Sequence, residues 1–271
     1  MPVYPHHAGT FHALHRDFLI LPNAWDPGSA RIIESSGAAA VATTSSGLGW
    51  SCGYPDGNAI PPAVLANAVA AIARVISVPL SVDIEGGYAG DADTVGRNVA
   101  LIIDSGGVGI NIEDGKDPPD LLIAKIAAAR RAGEHAGLHL FINARIDVYL
   151  HALVARERML EESIERAARY REAGADGIFV PGATDADALR ALAEAAAPLP
   201  FNAMVRPDLP PAATLKSLGV RRLSAGGAIA MSALSLTRKL AAAFLAGGDS
   251  RALSAHVEGL TYPGLNALFK R

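Results

Sequence analysis

In Leu101-Ile-Ile-Asp-Ser-Gly-Gly-Val-Gly-Ile-Asn-Ile-Glu-Asp114 an amphipathic stretch over 94–104 runs out, Gly106 follows, and an apolar, β-branched run over 107–112 leads to an acidic tip. A glycine at that place takes the left-handed conformation that closes a helix. Outward from this unit the pattern repeats, with Gly37, Gly137, Gly174 and Gly219 each ending a helical stretch just before an apolar run. Strands are expected over 18–23, 39–44, 80–84, 107–112, 140–144, 177–180, 201–205 and 221–224. Helical stretches between them include 62–75, 94–104, 121–135 and 158–172. Pro61-Pro62 and Pro118-Pro119 suit helix entrances, where a missing N–H costs nothing.

Eight strand–helix units in succession imply parallel pairing, because parallel strands need crossover helices. An open doubly wound sheet would carry a Gly-x-Gly-x-x-Gly turn after its first strand. Leu21-Pro-Asn-Ala-Trp-Asp-Pro-Gly-Ser29 lacks it. No linker or shift of composition divides the 271 residues, and one (β/α)8 TIM barrel fills about 250. The expected architecture is a single barrel domain over 1–271. Residues 232–271 form a C-terminal helical extension, with a helix over 232–246 and surplus chain over 254–271.

Hydrophobic residues make up 50% of the chain and charged ones 19%, enough apolar material for a large core. The formal net charge of −3 gives no global reason to bind nucleic acid or an anionic membrane. Charges or prolines interrupt each apolar run before the roughly 20 residues of a membrane span. The start, Met1-Pro-Val-Tyr-Pro-His-His-Ala8, lacks a signal-peptide layout, so a cytoplasmic protein is expected. The single cysteine, Cys52, excludes an intramolecular disulfide and a Cys-rich zinc site. No histidine lies close to it in sequence, and an inert thiol is the expectation. His6, His7, His12 and His15 crowd the N-terminus and read as a solvated tail, with adventitious metal binding as the alternative. His135, His139, His151 and His256 fall on helices or strand starts, which disfavours imidazole base catalysis.

In this fold the reacting groups are expected at the carboxyl ends of the strands. The third strand ends Asp83-Ile-Glu85, whose acids share one side of an extended chain. By the same spacing Asn111 pairs with Glu113 and Asn143 with Arg145. Three carboxylates on adjacent strands repel one another unless a cation neutralises them. A hard divalent ion suits oxygen ligands, so Asp83, Glu85 and Glu113 are candidate Mg²⁺ (or Mn²⁺) ligands. Arg145 presents a planar fork for a substrate carboxylate, or forms a structural ion pair with Asp147 or Glu113. Asp56 lies in a Pro-Asp-Gly turn after the second strand and is a candidate by location alone.

These motifs together resemble the isocitrate lyase/phosphoenolpyruvate mutase superfamily, from Asn23 to about Gly227. Asn23-Ala-Trp-Asp26 resembles its first-strand end, and Ser45-Ser46-Gly47-Leu48 the loop that holds a substrate's oxo-acid end. Asp83-Ile-Glu-Gly-Gly-Tyr88 resembles its Asp-x-Asp-x-Gly-Tyr magnesium motif, with Glu85 in place of the second Asp. The resemblance implies a barrel, often tetrameric with a C-terminal helix exchanged between subunits. It also implies a Mg²⁺-bound 2-oxo acid held by Trp25, Ser45, Ser46, Gly47, Leu48, Asp83, Arg145 and Asn202, with Asp56 and Glu113 assisting through the metal's water shell. The chain departs from the C–C lyases of that family. Their Lys-Cys-Gly-His lid is replaced by Glu113-Asp-Gly-Lys-Asp-Pro-Pro119, which leaves Lys116 as the ionisable donor. The sixth strand ends Val180-Pro-Gly182 where those lyases carry a Glu.

The expected activity is a Mg²⁺-dependent lyase acting on a small 2-oxo acid or 2-hydroxy di- or tricarboxylate through an enolate. The C–C cleavage would be of methylisocitrate-lyase, dimethylmalate-lyase or oxaloacetate-decarboxylase type. C–P chemistry and a non-catalytic 2-oxo acid binder are the alternatives. A homo-oligomer is expected, with no nucleic-acid or membrane partner.

Overall fold

The computed structural model describes residues 4–248, 250–254 and 259–270. Its strands are β1 (Leu19–Leu21), β2 (Asn23–Ala24), β3 (Val41–Thr43), β4 (Leu80–Asp83), β5 (Gly109–Glu113), β6 (Phe141–Arg145), β7 (Gly177–Phe179), β8 (Phe201–Met204) and β9 (Arg222–Ser224). All pairings are parallel, in the order β1-β9-β8-β7-β6-β5-β4-β3-β2. β1 and β2 flank Pro22 and are consecutive segments of one pass. Proline has no N–H to give the ladder, and the pass changes partner there, from β9 to β3. The sheet is thereby an eight-fold α/β barrel whose seam runs through its first strand. Asn23 stitches that seam: its Nδ2 donates to the Thr43 carbonyl at 2.7 Å, and its Oδ1 accepts from Ala225 and Gly226 N–H at 2.9 Å each.

All eight expected strands form, with ends shifted by one or two residues; the expected 107–112 and 140–144 each run one residue further, to Glu113 and Arg145. Outward residues such as Val82, Ile110, Ile142 and Ile178 are wholly buried under the helices, while their neighbours point into the barrel. The outer layer includes helices Pro62–Val75, Ala92–Asp104, Pro119–His135 and Met159–Glu172. Gly106 closes the second of these at φ +106°, a conformation that a Cβ would strain, and Gly37, Gly137, Gly174 and Gly219 share its sign of φ.

The N-terminal histidines are not a solvated tail. Helix Tyr4–Leu14 caps the amino-terminal end of the barrel and inserts Phe11, which is fully buried. Its ring meets Phe141 edge-to-face at 5.3 Å. Gly109 makes room for it, since a Cβ there would lie 2.8 Å from the Phe11 ring. Burial of one such side chain contributes about 1.5–3 kcal/mol. His15 follows it in, stacked on Phe141 at 4.2 Å with its Nδ1 2.8 Å from the Phe11 carbonyl. The first three residues and His256 lie outside the described residues.

Beyond β9, helix Ala228–Gly247 is longer than the expected 232–246. By length and composition it is apolar enough to cross a membrane, although Arg238 and Lys239 sit within it. Only Ala230 of this helix is buried; Met231, Leu234, Phe244 and Leu245 are exposed. Helix Tyr262–Leu268 returns to the barrel, where Arg31 Nε donates to the Leu268 carbonyl at 2.6 Å. Residues 255–258 and 271 of the surplus segment lie outside the described residues.

Candidate active site

Side chains from β4, β5 and β6 converge at the carboxyl end of the barrel. Asp83 is fixed from β3: its N–H donates to Thr43 Oγ1 at 2.9 Å, and its Oδ2 accepts from Ser45 N–H at 3.2 Å. Its Oδ1 is buried and has no hydrogen-bond partner. A buried carboxylate oxygen without a donor is costly, and the donor set around it is one that a hard cation completes.

Glu85 leaves the strand in the left-handed region, at φ +49°. That turn swings its carboxylate onto the loop after helix Ser45–Ser51, where Oε2 accepts from Gly57 N–H at 2.8 Å and from Asn58 N–H. Asn58 answers with its own Oδ1, which accepts from Gly86 N–H at 3.1 Å and Tyr88 N–H at 3.3 Å. Asp56 is exposed in the same loop, one residue before this clasp. Burial pushes the Glu85 carboxyl up; the Asn58 N–H opposes this, and Asp56 and Asp83 add to it.

Arg145 stands between two acids. Its Nε and Nη2 donate to Asp147 Oδ1 and Oδ2 at 2.7 and 3.1 Å, and its Nη1 lies 2.5 Å from Glu113 Oε2. The ion pairs of the second reading are thus present, and they hold the guanidinium between Glu113 and Asp147. Burial opposes its charge, but Glu113, Asp147 and Asp83 outweigh burial and push its pKa up. Burial carries the Glu113 carboxyl up to about 8; Arg145 pulls against it, while Asp147, Asp83 and Glu85 reinforce it.

The other expected residues divide. Ser46 Oγ lies 3.1 Å from Thr44 Oγ1, and Trp25 is half-buried beside Gly47. A Cβ on Gly47 would lie 2.9 Å from both Thr44 Cγ2 and Trp25 Cβ. The Leu48 side chain is in the core and its N–H donates to the Thr44 carbonyl, so it has little to offer a ligand. Asn202 is wholly buried lower in the barrel. It accepts from Asn143 Nδ2 at 3.2 Å and donates to Ser224 Oγ at 3.1 Å. Asn143 also donates to Asn111 Oδ1 at 2.9 Å, which Arg222 Nη2 meets at 3.1 Å. This network is the floor of the site.

Lys116 is exposed in the turn after β5, with no bond to the acids among the described residues. The lysine brought to the site loops is Lys125, buried, with Nζ donating to the Gly86 carbonyl at 2.8 Å. Sequence reading missed it because it sits inside an amphipathic helix. Asp114 was missed as well. It accepts from Asp147 N–H at 2.9 Å, Tyr170 Oη at 2.7 Å and Arg166 Nη1 at 2.9 Å, and so anchors the Arg145 support. His151, expected away from the strand ends, lies on the short helix Val148–His151 directly after β6, with Nε2 3.7 Å from Asp147 Oδ2.

The phosphoenolpyruvate phosphomutase family model matches residues 11–245, which span the whole barrel. The chain belongs to that family. It therefore falls within the isocitrate lyase/phosphoenolpyruvate mutase superfamily. An uncharacterized protein of Mycobacterium tuberculosis is 38% identical over 223 residues, covering 80% of this chain and 81% of that one. The 2-methylisocitrate lyase of Aeropyrum pernix is 30% identical over 193 residues, 66% of this chain and 58% of that enzyme. A solved protein of Burkholderia cenocepacia J2315, assigned provisionally as a phosphonomutase, is 38% identical with a TM-score of 0.82, covering 87% of this chain and 99% of that one. Named members of the superfamily related to this chain comprise lyases, a decarboxylase and a phosphorylmutase.

Proposed function

We propose that this chain is a Mg²⁺-dependent carbon–carbon lyase acting on a small 2-oxo acid or 2-hydroxy di- or tricarboxylate, with an enolate as the common species. The observation that carries the reading is Asp83 Oδ1, a buried, unpartnered carboxylate oxygen at the end of β4, near enough to Arg145 to help push its pKa up. Asp83, Glu85 and Glu113 would hold the cation, Mg²⁺ or in its place Mn²⁺, with the exposed Asp56 assisting through its water shell. When bound, the cation supplies Lewis-acid stabilisation of the substrate oxygen that gains negative charge. Arg145 orients the substrate carboxylate through Nη1, taking it in place of Glu113. Ser46 and Gly47 offer first-turn N–H groups, which have no intrahelical partner.

Decarboxylation of an oxaloacetate-type acid fits the chain's short connection from β5 to the next helix. The C–C bond electrons pass to the enolate as CO₂ leaves, and one proton, delivered from solvent or Lys116, completes pyruvate. No alkoxide has to be deprotonated, so the absent lid cysteine is not needed. Retro-aldol cleavage of a methylisocitrate or dimethylmalate type is the second lyase chemistry. C–P chemistry is the other reading, favoured by the family model's description and opposed by the five residues Asp114–Pro118, which are too few to shield a phosphoryl intermediate from water. The exposed apolar face of helix Ala228–Gly247 supports a homo-oligomer, and a cytoplasmic location accords with a small-metabolite substrate.

The test is a coupled assay for pyruvate, glyoxylate or succinate release across a panel of acids, with and without Mg²⁺, beside thermal shift with oxalate. Turnover that is lost in Asp83→Asn supports the proposal. A Mg²⁺-dependent shift without turnover of any acid makes the protein a binder, and metal-dependent activity that survives Asp83→Asn removes the metal site.

A further inference from the structure

At the end of the barrel opposite the acids, His12, His139 and Asp176 meet. They come from the N-terminal helix, the segment before β6 and the turn before β7. One nitrogen of each imidazole and one carboxylate oxygen lie within 4.8 Å of one another. The two rings stack at 4.3 Å, 13° from parallel, and His139 Nε2 is 3.5 Å from Asp176 Oδ1. Ligands bonded to a tetrahedral zinc at about 2.0–2.1 Å stand about 3.3 Å apart. The His139–Asp176 pair therefore already has the spacing of neighbouring ligands.

Two of the three side chains are held from behind. Asp176 Oδ2 accepts from Ile142 N–H at 2.8 Å and from Arg130, which also donates to the Leu140 and Gly174 carbonyls at 2.8 and 2.9 Å. That leaves Oδ1 as the oxygen available to an ion. His12 packs 5.0 Å from the Phe141 ring, with Nε2 3.0 Å from the His139 carbonyl. His139 is the most exposed of the three, with a side chain 69% exposed. A cleft of about 560 Å³, bordered by His12, Asp176, Arg16 and Arg221, gives water and ions access.

We propose that His12, His139 and Asp176 form a second metal site, for a divalent transition ion such as Zn²⁺ or Co²⁺, which ties the N-terminal helix to the barrel floor. Two imidazoles and one carboxylate suit such ions, whereas Mg²⁺ prefers oxygen ligands throughout. The site is separate from the Asp83 cluster in place and in metal preference. Its role is structural, because the three ligands come from the segments that the helix must hold together to keep Phe11 seated.

The experiment uses full-length protein stripped with a chelator and kept in saturating Mg²⁺. Zn²⁺ is titrated by calorimetry and thermal melting, and Co²⁺ by its visible spectrum. One equivalent per chain, a raised melting temperature and a low-coordinate Co²⁺ spectrum are expected. His139→Gln, an exposed position, should weaken binding at least about tenfold, since even outer-sphere changes cost 10–100-fold. A His6→Ala/His7→Ala double variant should bind as the parent does. Absence of stoichiometric binding overturns the proposal. So does binding that persists in His139→Gln, or that disappears in the double variant or in Asp83→Asn.

Discussion

Arg145 closes a two-bond fork on Asp147, at 2.7 and 3.1 Å, and this fixes the plane in which its remaining nitrogen reaches Glu113. Asp147 is fully buried and is itself oriented through its N–H by Asp114. Exchanging Asp147 for Asn keeps the shape but turns one acceptor into a donor facing a cation. Breaking a buried ion pair from one side costs about 3–5 kcal/mol, and the retained amide oxygen moderates that to about 2–3. Urea unfolding should register this loss in Asp147→Asn, and oxo-acid KM should rise more than kcat falls. Unchanged stability would mean that the fork does not form in solution.

Gly47 is a position without space. A methyl group there meets Thr44, Trp25 and Ala230 at 2.9–3.0 Å, and overpacking of this kind costs about 1–3 kcal/mol. Gly47→Ala should lower stability by that amount and displace helix Ser45–Ser51, with a larger relative loss of ligand binding. Gly9, in the N-terminal helix with nothing within 4 Å of a Cβ, is the control. Gly9→Ala should be neutral or gain up to about 1 kcal/mol, as judged by thermal melting.

Arg222 is enclosed in the barrel with Nε and Nη1 unpartnered, and burial pushes its pKa down to about 9 while Asp83 pulls it up. Replacing a buried ion pair or triad by apolar side chains is often neutral or stabilising by about 1–4 kcal/mol; Arg222 has no ion pair among the described residues to lose, and Asn111 Oδ1 keeps its bond from Asn143. Arg222→Met should therefore unfold at equal or higher urea concentration. A loss of several kcal/mol would show that the guanidinium is fully satisfied, for example by ordered water.

Burial pushes the His15 imidazole down to about 3, with Arg222 adding to the effect. The unfolded chain takes up a proton near 6.5 and the folded chain does not until about 3, so this contribution is complete above pH 6.5 and is lost progressively as pH falls between those values. The slope is about 1.4 kcal/mol per unit. His15→Phe removes the titrating group, and between pH 7.5 and 5.5 it should lose about 1.4 kcal/mol less stability than the parent. Parallel losses in both proteins would show that His15 is protonated in the fold.

Much of the barrel was legible because its signals are local. A period of two, β-branched runs and helix-closing glycines need only a few neighbouring residues, and they placed all eight strands. The shared side of Asn143 and Arg145 followed from the same alternation, whereas Glu85 lies beyond its strand at a positive φ that alternation does not foresee. Lys125 and the N-terminal plug were not legible. A lysine on a helix and four histidines near a terminus look solvated until the barrel closes beside them.

Spacing along the chain thus specifies a parallel α/β barrel with Asp83, Glu113 and Arg145 at its carboxyl end, but not Asp114 behind them. Tertiary structure alone decided what each group touches: Asn111 with Arg222 across 111 positions, Glu85 with the 57–58 loop, and His12 with His139 across 127. Such contacts depend on how the first pass, broken at Pro22, joins β9 to β3. Closure of a ring is a property of the whole chain, and no local pattern encodes which distant side chains it will bring face to face.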